Sequence, residues 1–403
     1  MRILQLCKKF PYPLKDGESI AVTTLSRSLH QLGCKVTLLA MNTAKHYSDI
    51  TDIPNALLHY EQVLAVPVDN RVKPVDAFLN LFSRESYHIA RFVSPDFRQK
   101  LAQLLESQSF DVIQLETPYL APYLPVIRQY SDAVVAMRAH NIEHEIWQRI
   151  AGNTRLLPKK WYLRHLAFKL RRYELEQFKA YDILVPITKR DLDLFRSLGY
   201  GKTAVVAPIG IDCGQYQPDY NSFKRTLSLS FIGSLDWMPN QEGLKWFLDE
   251  VWPLLYRKYP ALELHIAGRN PPRWIGQMKA PNIRIHGEVP EAEAFINQHN
   301  IMVVPLLSGS GMRAKILEGM ALGKVVLTTT VGLEGIAARD RREVLVADTP
   351  EQFVEQIAYC HEQGRELEQL GRAASSFVAQ HYDSIEIARQ LLRAYSTLTV
   401  EAF

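Results

Sequence analysis

Short apolar runs alternate along this chain with longer stretches in which apolar residues recur every three or four positions. The first run, residues 3–6, leads into a turn around 11–17 and then a helical period through Ile20, Leu25, Leu29 and Leu32, which Gly33 stops. A second β-rich run fills 35–40, and others recur at 111–115, 133–137, 183–187 and 204–207 with helix-length spacers between them. That alternation predicts a parallel sheet with crossover helices.

After 208–212 comes a polar stretch, and then the same grammar restarts with runs at 227–232, 262–267, 283–286, 301–306, 325–328 and 344–346. The expected fold class is therefore α/β, with two Rossmann-like, doubly wound parallel-sheet domains. Segment 384–399 reads as a helix from Ile387, Leu391, Leu392 and Tyr395, and it lies beyond the last strand of the second domain. Two such sheets that face each other bring the carboxyl ends of their strands around a shared cleft, where a ligand is expected.

Composition narrows the class without changing it. A chain of 403 residues, 47% hydrophobic and 22% charged, is neither disordered nor fibrous. Cys7, Cys34, Cys213 and Cys360 are widely spaced and form no CxxC, which argues against a disulfide framework or a cysteine zinc site and for a reducing compartment. The apolar stretch at 3–7 is too short for a signal peptide, and no run approaches the ~18 apolar residues of a membrane span. The expectation is a cytoplasmic chain, at most peripheral at the inner face of a membrane. Residues 1–205 carry 28 Lys and Arg against 20 Asp and Glu, so the first half is the basic one.

The most informative segment runs from Pro305 through Ser308-Gly309-Ser310-Gly311-Met312-Arg313-Ala314-Lys315 to Glu318 and Ala321. A strand ends, a Gly/Ser loop turns and a helix begins near Met312. Such a loop presents backbone N–H groups to an anion at the positive end of a helix dipole. Arg313 and Lys315 add two cations where the dipole disfavours them, so something negative is expected to compensate. A diphosphate suits a bidentate guanidinium beside a point-charge ammonium. Neither GxxxxGK[ST] nor GxGxxG occurs here, so NTPase and nicotinamide-binding readings lack their fingerprints.

This segment resembles the donor-binding signature of GT-B glycosyltransferases of family 4. Matching blocks are 230–240 around Gly233, 207–212, and Gly332-Leu333-Glu334-Gly335, which together cover nearly all of the second domain. The resemblance implies a retaining, metal-independent transfer of a sugar from a nucleotide diphosphate sugar to a hydroxyl, with no cofactor. It implies that Glu318 holds the donor ribose, while Arg313, Lys315 and the backbone of Ser310 and Gly311 hold the diphosphate. Gly233 and, in the first domain, Gly17 of Asp16-Gly17 would let the donor approach the backbone closely, and the base would lie near 287–289, at Val289. Many members carry a glutamate eight positions before Glu318; here that position is Ser310. The resemblance also implies that the C-terminal helix crosses back, giving domains of 1–208 plus 383–403 and of 209–382.

In the first domain, Arg138-Ala139-His140-Asn141-Ile142-Glu143-His144 follows a strand. By resemblance His140 faces the transferred sugar, where a neutral imidazole would donate a hydrogen bond or stabilise charge, so that His140, Arg313 and Lys315 form the catalytic set. The same string spells HxxEH, but the first His comes too soon after the strand for one helix to carry both as metal ligands. Asp191-Leu192-Asp193 spells DxD at a helix start, where acids serve the dipole without a metal. Asp236-Trp237 reads as a turn with a packing tryptophan. Glu116 and Tyr119 end another strand and are assigned to the acceptor from position alone.

From Arg155 to Lys179 lie eight basic residues interleaved with Trp161, Tyr162, Phe168 and Tyr173. This is either a helix resting on anionic lipid headgroups, which suits a lipid-linked saccharide acceptor, or a solvated helix with an apolar core face. No nucleic-acid module accompanies it. The functional expectation is a glycosyltransferase of polysaccharide, lipopolysaccharide or glycolipid assembly. The alternatives are a nucleotide-sugar epimerase and a non-catalytic nucleotide-sugar-binding protein.

Overall fold

The computed structural model describes residues 1–403 except 15–16, 45–46, 49–53, 155, 277, 279, 309–310 and 402–403, and the side chains of 365, 400 and 401. Asp16, Arg155, Gly309 and Ser310 of the sequence reading lie outside the described residues. The chain divides into two compact units, Met1–Gly210 with Ser384–Phe403, and Ile211–Asp383.

The first unit is built on seven parallel strands: β1 (Arg2–Cys7), β2 (Lys35–Thr43), β3 (Gln62–Val68), β4 (Val112–Leu115), β5 (Val134–Ala139), β6 (Ile183–Pro186) and β7 (Thr203–Ala204). Their spatial order is β3-β2-β1-β4-β5-β6-β7. Ile3 of β1 lies opposite both Val36 and Val112. Because side chains alternate across a strand, Leu4 and Leu6 enter the core on one face with Phe97, Leu101 and Tyr123. Ile3 and Cys7 enter the core on the other face with Val22, Leu25 and Leu29 of the Gly17–Gln31 helix. β3 is absent from the sequence reading. Its Pro67 lacks an amide donor, which a sheet tolerates at the edge position that β3 holds.

The helix Ser384–Glu401 belongs to this first unit and completes that second core with Ile387, Leu391 and Tyr395. The Tyr395 hydroxyl donates to Gln114 Oε1 at 2.7 Å in the middle of β4. A Cβ at Gly210 would stand 2.7 Å from the Ser384 Cα, so the outgoing and returning segments touch backbone to backbone where only glycine fits.

The second unit has six parallel strands: β8 (Ser228–Ile232), β9 (Glu263–Ala267), β10 (Ile283–Gly287), β11 (Ile301–Val304), β12 (Val325–Thr328) and β13 (Leu345–Val346). The order is β10-β9-β8-β11-β12-β13. Leu229, Phe231, Leu264, Ile266, Val303 and Leu327 form its core with Phe247, Val251, Phe353 and Ile357 from covering helices. Both units are thus doubly wound and Rossmann-like. Among the described residues no helix is long and apolar enough to cross a membrane.

Leu391 is completely buried, so Leu391→Ala is expected to cost about 2–5 kcal/mol in urea-unfolding experiments. An unchanged unfolding midpoint would show that the C-terminal helix contributes nothing to the first unit.

Candidate active site

In an open α/β sheet the strand order reverses at one place, and the loops leaving the two strands there diverge to opposite faces, opening a crevice at their carboxyl ends. In the second unit that place lies between β8 and β11. The chain leaves β8 through Gly233, and leaves β11 through 305–313 into the helix Ala314–Ala321. Gly233, Gly268 and Gly287 end three neighbouring strands, and a Cβ on Gly268 would meet the Gly233 carbonyl at 2.1 Å. A Cβ on Gly233 would lie 3.2 Å from Lys315 Nζ. The two sequence-predicted residues Gly233 and Lys315, 82 positions apart, are therefore neighbours.

Lys315 Nζ donates to Asn240 Oδ1 at 2.6 Å and lies 5.1 Å from the centre of the Phe231 ring. Asn240 is itself fixed by donating from Nδ2 to the Ser234 carbonyl at 2.8 Å. Burial and the nearby Arg313 charge bring the Lys315 ammonium down to about 7, with Glu318 opposing them. Arg313 occupies the position just before the helix, one residue later than the sequence predicts the helix to open, and is only 6% exposed. It donates to the Gly311 carbonyl, and its guanidinium lies 6.0 Å over the Trp237 ring. Burial lowers its affinity for the proton and Glu334 opposes that effect. Trp237 is 42% exposed, which corrects its assignment as a packing residue: it precedes the Met238–Trp246 helix and forms a floor beneath Arg313.

Glu318 lies one turn further along the same helix. Burial raises its carboxyl above the ordinary range, while the Tyr216 hydroxyl bonded to it and the Lys315 charge act the other way. Gly311 takes a positive φ of 81°, a backbone state suited to glycine. Val289 is half-buried in the loop beyond β10, two strands from β8.

In the first unit the reversal lies between β1 and β4. Glu116, the residue after β4, is fully buried and accepts from Gln5 Nε2 (2.5 Å), Gln114 Nε2 (2.5 Å), Arg138 Nη1 (3.3 Å) and His140 Nε2 (2.8 Å). Burial favours its neutral form, but Arg138, His140 and Gln5 outweigh that effect and hold the carboxyl at about 2. An ionised carboxylate with every oxygen engaged inside the protein is a poor acceptor ligand, which corrects that expectation for Glu116. It instead sets the His140 tautomer. With Nε2–H given to Glu116, a neutral ring presents Nδ1 as an acceptor, so the expected donation to a sugar requires the protonated ring.

Tyr119 is likewise buried, and its hydroxyl donates to Glu143 Oε2 at 3.1 Å, which leaves only its ring, with Lys8 Nζ 4.7 Å from the centre, to face a ligand. Gly17 opens the Gly17–Gln31 helix, and a Cβ there would meet nothing within 4 Å. His144 pairs with Glu174 through Nδ1 at 2.7 Å, so the two histidines of HxxEH serve different carboxylates. In the DxD string Thr188 caps the helix by accepting from the Asp191 amide at 3.0 Å, and Asp191 and Asp193 pair with Arg190 and Lys189. Among the described residues no three His, Cys, Asp or Glu side chains converge as metal ligands.

Residues 226–363 match the family model described as glycosyl transferases group 1. The chain is a glycosyltransferase. A protein of the Klebsiella pneumoniae cps region, 44.6 kDa and uncharacterized, is 22% identical over 321 residues, 73% of this chain and 77% of that one. Among solved structures, sucrose-phosphate synthase from Thermosynechococcus elongatus superposes with a TM-score of 0.70 at 14% identity over the full length of both chains. HepE of Anabaena, in complex with UDP, superposes at 0.69 and 12% identity over 98% of this chain and all of that one. The fold of this glycosyltransferase is accordingly GT-B.

Sequence reasoning did not assign roles to Asn240, Tyr216, Gln5 or Gln114 in this glycosyltransferase. The two glutamines were detectable: each is a lone polar residue inside an otherwise apolar strand, and a buried amide needs a partner. Nothing local marks Tyr216.

An anion beside Lys315 favours its charged form and so raises its proton affinity from about 7. Binding of inorganic pyrophosphate at pH 8 is therefore expected to take up more protons in the wild type than in Lys315→Met, measured by calorimetry in buffers of different ionisation enthalpy. Equal proton uptake in the two proteins would place the anion away from Lys315.

Proposed function

We propose that this glycosyltransferase moves a sugar from a nucleotide diphosphate sugar to a hydroxyl of a saccharide or lipid-linked saccharide, with retention of configuration and without a divalent metal. The observation that carries the reading is the convergence of Arg313 and Lys315 at the β8/β11 reversal inside a group 1 domain. As the bond to the sugar breaks, negative charge grows on the leaving diphosphate. The buried guanidinium, the ammonium oriented by Asn240 and the amino end of the Ala314–Ala321 helix are already in place to stabilise it, and they supply the positive charge that a metal would otherwise bring. The similar fold of HepE, solved with UDP, supports a nucleoside diphosphate here.

Glu318 is assigned to the donor ribose, with Tyr216 orienting its carboxylate. The backbone near Gly17, Gly233, Ser310 and Gly311 is assigned to close contact with the donor, and Val289 to the base. His140, with its tautomer set by Glu116, serves the transferred sugar. The resemblance of the segment from Pro305 to Ala321 to the family 4 donor signature supports assignment to that branch, and a relative in a cps region supports a role in polysaccharide assembly.

Incubation with a panel of sugar nucleotides and saccharide acceptors, followed by product analysis, tests the reading. The expected product is a new glycoside with the donor's anomeric configuration, formed equally well with EDTA present. Release of an altered free sugar nucleotide without acceptor would indicate an epimerase, and binding without turnover a non-catalytic protein. Arg313→Ala is expected to lower kcat by roughly 10²–10³-fold while the protein still folds. Near-normal transfer by that variant would remove the phosphate assignment.

A further inference from the structure

Large apolar side chains on a soluble surface are normally scattered singly, and a contiguous patch marks a place that something else covers. Nine of the twelve described large apolar residues that are at least 60% exposed lie in two segments of the first unit, 72–82 and 156–168. In the helix Pro74–Asn80 only Asn80 is buried, while Phe78, Leu79 and, just beyond, Phe82 face outward at 62%, 60% and 81%. The polarity of that helix is inverted relative to an ordinary surface helix.

The second segment begins the long helix Leu157–Glu176. Leu157, Trp161, Arg164, Phe168 and Arg172 are spaced by four, three, four and four residues and so share one exposed stripe, while Leu163, Leu166 and Leu170 bury the opposite side. The two helices are tied together. Lys169 Nζ donates to the Asn80 carbonyl and side chain. At the other end Tyr87, from a short helix packed on the long one, exchanges hydrogen bonds with the Lys73 backbone. One end of the Pro74–Asn80 helix is thus bonded to the long helix directly and the other through the short helix that packs on it, and we take the two neighbouring apolar stripes together as one face.

Charge decides what covers it. Residues 156–173 contain six cations and no acid. Lys169 is buried, Arg172 pairs with Glu176 and Lys159 projects from the opposite side of the helix, which leaves Lys160, Arg164 and Arg171 around the aromatic stripe. Asp76 in the first segment and Glu85 just beyond it are balanced by Lys73 and Arg84. A second copy of the chain docking by the same face would set cation against cation. We propose that this face is a docking surface for an anionic phospholipid bilayer: Phe78, Leu79, Phe82, Leu157, Trp161 and Phe168 enter the headgroup and acyl boundary, and the flanking Lys and Arg meet lipid phosphates. The segment 156–173 contributes six net cations to the basic excess of eight in residues 1–205, and the proposal is independent of the sugar-transfer assignment.

Co-sedimentation of the full chain with vesicles of phosphatidylcholine alone, or mixed with phosphatidylglycerol, tests the proposal. The wild type is expected to pellet with the mixed vesicles, weakly with the neutral ones, and less at high salt. Trp161→Ser with Phe168→Ser, Phe78→Ser with Phe82→Ser, and Arg164→Glu with Arg171→Glu should each lower the partition constant more than about tenfold, with melting temperatures close to wild type because all six side chains are exposed or at the surface. Three results would overturn it: wild-type protein left in the supernatant with both vesicle types, partitioning indifferent to lipid charge, or partitioning unchanged in all three variants. Self-association through this face in sedimentation velocity, without vesicle binding, would assign it to a second copy instead.

Discussion

Two positive charges held close together at the end of one strand are the constraint on which the candidate donor site depends. Arg313 is buried, Lys315 is half-buried, and each sits at the amino end of a helix whose dipole opposes it. The strain is visible in Lys315, which burial and Arg313 bring to the edge of losing its charge near neutral pH. Glu318 and Glu334 relieve it only in part, because they act from the flanks. An anion of high charge density placed at the crevice between β8 and β11 would relieve both cations together. Stability alone does not call for this arrangement, whereas stabilising a leaving diphosphate does.

The fold makes the arrangement available through sheet order. Parallel strands send all their carboxyl ends to one edge, and the reversal of order leaves that edge unobstructed at a single place in each unit. In the second unit the reversal brings Gly233 beside Lys315, and Asn240, on the helix after β8, holds the ammonium in place. In the first unit it holds a different chemistry, a fully buried carboxylate that fixes a histidine. Four side chains, from β1, β4, β5 and the residue after β5, engage the ionised Glu116. Removing any one of them would leave a buried charge short of a partner, which costs more than the bond itself contributes.

Much of this was legible in the sequence, for identifiable reasons. The alternation of apolar runs with helical periods encodes two doubly wound sheets because buried parallel strands must be continuously apolar. The segment from Pro305 to Glu318 announces itself because adjacent cations at a helix start contradict local electrostatics. What escaped depended on long-range contacts. β3 was hidden by Pro67, harmless only at an edge. Glu116 was assigned to an acceptor because its position after a strand was visible and its burial was not. Trp237 reads from sequence as a packing residue in a turn because aromatic side chains usually pack, yet it is 42% exposed beneath Arg313. The outward-facing Phe78 and Phe82 follow a helical spacing that sequence alone would turn inward.

The central claim is that Arg313 and Lys315 hold a diphosphate, and the most direct measurement compares the affinity of the full chain for UDP and for uridine by titration calorimetry. The account predicts a strong preference for UDP in the wild type, and near-equal, weak binding of the two in Arg313→Ala combined with Lys315→Met. A preference for UDP that survives undiminished in the double variant would contradict it.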